Sequence, residues 1–64
     1  MKRYVIYKRL QSGKEVYLQD NKKFTEEIDK AKRYDARFWS DLLRIILEII
    51  KLFGVTNKIK YKKI

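Results

Sequence analysis

The hydrophobic and polar positions of this chain change period near its middle. From Ala36 to Phe53 the polar residues are Arg37, Ser40, Asp41, Arg44, Glu48 and Lys51, spaced three, one, three, four and three apart. That spacing is helical and predicts one long helix with a narrow polar stripe. Asp35 stands where an N-cap is expected, and Gly54 where a glycine ends a helix. Arg37 with Asp41, Arg44 with Glu48, and Glu48 with Lys51 are placed to pair along the stripe, each contributing about 0.2–0.5 kcal/mol. The rest of the cylinder is apolar, running from Phe38 and Trp39 to Leu52 and Phe53. At about 100° per residue the apolar arc covers roughly 220°, about twice that of a helix lying on one small core. A second surface is needed to cover the excess.

Ahead of the helix the pattern is that of strands. Arg3 to Leu10 is β-branched and aromatic without Gly or Pro, and Glu15 to Gln19 forms a second, shorter run. Gln11-Ser12-Gly13-Lys14 between them predicts a turn, with Gly13 free to take a positive φ. Alternation puts Tyr4, Ile6, Leu10, Val16 and Leu18 on one face of this hairpin and Val5, Tyr7 and Tyr17 on the other. A slip of one residue in pairing would exchange a strand's faces. Asp20 to Lys23 is a second turn. Thr25 can cap a short helix with Glu26, Glu27 and Asp29 near its positive end, Ile28 and Ala31 facing inward, and Tyr34 closing it. In the tail, Ile59 and Tyr61 alternate with Lys58, Lys60 and Lys62. That fits a lysine-guarded edge strand joined to the hairpin; the competing expectation is a disordered basic tail. The expected fold is α+β over 1–64 as one domain: a β-hairpin plus a C-terminal edge strand packed on one long helix, with a short connecting helix.

The chain has 64 residues with no Cys and no His. Disulfides, thiolate chemistry and the common zinc sites are therefore absent, and oligomerisation is the stabiliser left to so small a domain. The cysteine count is compatible with a reducing cytoplasm, which is the expected location. The apolar run after the basic start is only Tyr4 to Tyr7, too short for a signal-peptide core. The long helix is shorter than a membrane span and carries Arg44, Glu48 and Lys51 inside it. Peripheral membrane association is disfavoured because Asp41 and Glu48 interrupt the cationic stripe it would use.

Net charge is +9, and its distribution matters more than its size. Lys2, Arg3, Lys8, Arg9 and Lys14 are unopposed in the first 14 residues; Lys58, Lys60, Lys62 and Lys63 crowd the tail; the middle is nearly neutral. If the two ends pair in one sheet, their charges share a surface. Such a surface attracts nucleic acid or an acidic protein, although a small lysine-rich protein also gains plain solubility from the same residues.

No residue set suggests catalysis. The acids fall on predicted surfaces, Ser12 and Ser40 lack a base, and Gly13 and Gly54 are isolated, so neither an acid–base pair nor a phosphate loop is indicated. No enzyme activity, cofactor or metal is expected. The candidate residues are those of binding. Trp39, Leu43, Ile46, Leu47 and Ile50 are candidates for a helix interface in a homo-oligomer, a dimer first, or with a partner protein. Trp39 suits either a core position or an interface anchor, and periodicity alone does not assign which helix side meets the sheet. Tyr7, Arg9, Lys14, Tyr17, Lys58, Lys60 and Lys62 are candidates for a surface that takes nucleic acid or an acidic partner. Tyrosines on a sheet face equally pack there with their hydroxyls wet.

The order Tyr4-Val5-Ile6, Gly13, Val16-Tyr17-Leu18, Phe24-Thr25, Ile28, Ala31-Lys32-Arg33-Tyr34 resembles short proteins encoded by phages and prophages of low-GC Gram-positive bacteria. The resemblance covers the first half of the chain. The second half departs from it in the length and apolarity of the helix, with its Ile45-Ile46-Leu47-Glu48-Ile49-Ile50 run. What the resemblance implies is an inhibitor or adaptor that blocks a host or defence protein by occupying its surface, inside the host cell.

Overall fold

A computed structural model describes residues 2–64. Five antiparallel strands pack with one helix. The strands are β1 (Lys2–Arg9), β2 (Glu15–Leu18), β3 (Phe24–Thr25), β4 (Tyr34–Ala36) and β5 (Ile59–Lys63), and the helix is α1 (Trp39–Phe53). β1 is the spine. Tyr4 pairs with both Tyr34 and Lys63, and Tyr7 with both Tyr17 and Lys60. A strand residue has one neighbour on each edge, so β5 takes one edge of β1 while β2 and β4 share the other. β3 continues the sheet beyond β2.

The hairpin of β1 and β2 has the register Tyr7↔Tyr17 and Lys8↔Val16, which sets Tyr7 and Tyr17 on one face and Ile6 and Leu18 on the other. Two turns of the same build shape this half of the chain. In the first, Gly13 N–H donates to Leu10 C=O at 2.9 Å and Leu10 N–H to Lys14 C=O at 2.7 Å. In the second, Lys22 N–H donates to Gln19 C=O at 3.0 Å and Gln19 N–H to Lys23 C=O at 2.8 Å. Both need a left-handed residue at the third loop position. Gly13 supplies it at φ 93° without a Cβ, whereas Lys22 takes φ 66° with one.

The segment after β3 corrects two expectations. The short connecting helix is a single 3-10 turn at Ile28–Lys30, and Thr25 lies in β3, its Oγ1 accepting the Glu27 N–H at 3.2 Å. Tyr34 to Ala36 pair with β1, so Asp35 belongs to a strand and does not cap the helix; its carboxylate meets Arg3 at 3.5 Å. The helix begins at Trp39. Phe38, the N-cap, has no side-chain acceptor, and Asp41 in the first turn reaches back to accept the N–H groups of Arg37 at 2.9 Å and Phe38 at 3.2 Å. Those bonds hold the Asp41 carboxyl below its usual range. The carboxylate thus serves backbone rather than the Arg37 side chain. None of the three ion pairs expected along the stripe forms among the described residues. Gly54 ends the helix at φ 79°, its N–H donating to Ile50 C=O at 2.8 Å.

The tail is the fifth strand. It pairs with β1 over five positions, from Tyr4↔Lys63 to Lys8↔Ile59, which brings the two basic chain ends into adjacent strands. The core lies between sheet and helix: Ile6 and Leu18 from the sheet meet Ile45 and Ile49 from the helix, ringed by Tyr4, Phe24, Leu42, Phe53, Ile59 and Tyr61. Val5, on the opposite face of β1, is also fully buried. Its neighbours on that face are Lys62 across the ladder and Arg3 and Tyr7 along the strand.

Candidate binding surfaces

The helix side left open by periodicity is now assigned. Leu42, Ile45, Ile49, Leu52 and Phe53 face the sheet. The other half of the apolar arc faces outward. Trp39 is 69 % exposed, Leu47 62 %, Leu43 44 % and Ile50 41 %, while Ile46 is half-buried between the two halves. Trp39 is therefore not a core residue. Phe38, at the start of the apolar arc, is 71 % exposed because it precedes the first helical turn. Trp39, Leu43, Ile46 and Ile50 recur at four, three and four, the spacing of a seam that packs against another helix.

At about 150–250 Å² for a large side chain, the exposures of Trp39, Leu43, Leu47 and Ile50 leave roughly 400–450 Å² of apolar surface on the outer side of the helix. A standard interface takes about 800 Å² from each partner, a little over half of it apolar. The charges flanking the seam nearly cancel: Arg37, Arg44 and Lys51 stand against Asp41 and Glu48.

On the other face of the sheet, the tyrosines and cations form a closed network. Glu15 lies at its centre. Lys62 Nζ is 2.6 Å from Glu15 Oε1, Arg9 Nη2 is 3.2 Å from Oε2, and the Tyr17 hydroxyl donates to Oε1 at 3.4 Å. The Lys62 ammonium also stands 4.8 Å from the Tyr7 ring centre and 5.3 Å from that of Tyr17. Lys62, then Arg9, hold the Glu15 carboxyl below its usual range, and Glu15 raises Lys62 in turn. On the ring faces that Lys62 covers, a base could stack only by displacing that ammonium.

The remaining candidates lie apart from this network. Lys14 is at the first turn, 3.9 Å from Glu26. Lys58 and Lys60 border an open groove of about 620 Å³ with Lys8, Arg9 and Tyr7, where the end of β1 meets the segment before β5. No protein-family model, curated protein or solved structure matches this chain.

Periodicity did not reveal a second groove, of about 400 Å³, between the C-terminal half of α1 and β5. Ile46, Ile50, Val55, Ile59 and Tyr61 line it, and Val55 is 93 % exposed at its rim. The only signal in the sequence was the alternation of Ile59 and Tyr61 with lysines. No helix is long and apolar enough to cross a membrane, and no set of three acidic side chains converges as a metal site among the described residues.

Proposed function

We propose that this is a non-enzymatic binding protein that pairs with a second copy of itself through the outer face of α1 and acts by occupying a surface of another protein. The observation that carries this reading is the uncovered outer face of α1, where Trp39, Leu43, Leu47 and Ile50 are exposed beside the half-buried Ile46. A patch of that size matches the largest on a typical monomer, which is often an interaction site. A second copy suits it because the helix charges nearly cancel, whereas the sheet and tail carry most of the +9 and would repel their own kind. The exposed apolar area is close to the apolar share of a standard interface. In the dimer the basic sheets point outward, available to an acidic partner. An inhibitor or adaptor inside a host cell, as the resemblance to phage-encoded proteins implies, would work this way without chemistry of its own. Leu43→Glu and Leu47→Glu test it: each should abolish self-association in size-exclusion chromatography with light scattering while circular dichroism keeps the fold. Unchanged mass in both variants would remove the seam as the pairing surface.

Nucleic-acid binding is the second reading, favoured by the groove with Lys8, Arg9, Lys58 and Lys60. It would be electrostatic and indifferent to sequence, since Lys62 covers Tyr7 and Tyr17. Titration of single and double strands at rising salt separates it from the first: binding that survives physiological salt favours nucleic acid as the target.

A further inference from the structure

We infer that β5 and the groove beside it form a docking site for an extended acidic peptide, which joins the sheet as a sixth strand. This goes beyond the pairing of helices, with which the groove shares Ile46 and Ile50 at its edge.

β5 is bonded on one edge only. Ile64 N–H donates to Arg3 C=O at 2.9 Å, which continues the β1–β5 register by one pair. In an antiparallel ladder, hydrogen-bonded and non-bonded pairs alternate. Lys62 and Lys60 therefore turn their backbone groups toward β1, and Ile59, Tyr61 and Lys63 turn theirs outward. The outward donors and acceptors belong to the same residues whose side chains lie on the helix side of the sheet, where the 400 Å³ groove runs.

An added strand would meet two different surfaces. Its residues opposite Ile59 and Tyr61 would point into the groove among Ile46, Ile50 and Val55. Its intervening residue would face Lys60, which has no carboxylate within ion-pair distance among the described residues, with Lys58 nearby. Strand addition draws affinity from main-chain bonds and specificity from alternate side chains. The matching sequence alternates apolar and acidic residues. A second copy of β5 is the wrong occupant, because it would set lysines directly against lysines.

The probe is a fluorescein-labelled peptide of seven residues, alternating Asp or Glu with Ile or Val. Anisotropy should report binding that weakens at least tenfold with Lys60→Glu, and at least tenfold when the peptide is N-methylated at residues that bond Ile59 and Tyr61. N-methylation at the alternate positions should be tolerated, and this comparison leaves the protein untouched. Amide exchange in the complex should slow at Ile59, Tyr61 and Lys63. Leu43→Glu, which breaks the helix pairing and uncovers Ile46 and Ile50, should leave peptide binding intact or strengthen it. Equal binding of a scrambled peptide, equal loss from both N-methylation patterns, or no binding at low salt would overturn the proposal.

Discussion

Lys62 reaches across the whole width of β1 to place its ammonium 2.6 Å from a carboxylate oxygen of Glu15, joining the last strand of the chain to the second. The contact ties the C-terminal tail to the hairpin and sets the charge of the sheet's outer face. It also dictates an acid limb of stability. Glu15 is held below its ordinary value of 4.5, so its contribution is complete above that value and is lost as pH falls through the lowered one. Asp41, held below 3.8 by the backbone N–H groups of Arg37 and Phe38, acts with the same sign. Melting temperature should therefore drop on acidification below about pH 4.5, and Glu15→Gln should flatten the drop in part. An acid limb unchanged in that variant would show the network to be energetically idle.

The two equivalent turns offer an internal comparison. Replacing Lys22 with Gly should stabilise the chain by up to about 1 kcal/mol, because the left-handed strain outweighs the extra freedom of glycine in the unfolded state. Gly13→Ala should cost about 1–2 kcal/mol from backbone strain alone, since a Cβ there meets no atom within 4 Å. Urea midpoints check both. Opposite signs are expected, and a stabilising Gly13→Ala would contradict the turn assignment.

The two halves of the helix arc should respond differently to truncation. Ile45 and Ile49 are 2 % and 6 % exposed, and either changed to Ala should cost about 2–5 kcal/mol, which approaches the whole stability of so short a domain. Leu47→Ser should act only by removing self-association. Its effect on the urea midpoint should then grow with protein concentration, as linkage requires. A concentration-independent loss of core size would place Leu47 inside the fold instead.

The hairpin, the Gly13 turn, the long helix and its terminal Gly54 were legible because each is set locally, by alternation, by a single glycine or by a helical period. The tail strand was legible as one of two alternatives, and its pairing with β1 decides it. β3 and β4 were not. Ala31-Lys32-Arg33-Tyr34-Asp35-Ala36 has helix-compatible composition, and only the free edge of β1 at Lys2–Tyr4 draws Tyr34–Ala36 into a strand. The binding residues followed the same rule. The outward seam of α1 was visible as an excess of apolar arc, but its orientation needed the sheet. The Glu15 network was invisible because Lys62, which closes it, lies 47 residues from Glu15. Tyr7 and Tyr17 do share a face, as alternation required; that Lys62 covers them is a property of β5 docking beside β1.

Sedimentation equilibrium of the unmodified chain at micromolar concentration is the most direct test of the outer helix face as a pairing surface. A mass of twice 7.9 kDa, reverting to 7.9 kDa in Leu43→Glu and Leu47→Glu with the fold intact, is the expected result. A single 7.9 kDa species for the unmodified chain across the concentration range, equally soluble with and without those substitutions, would contradict it.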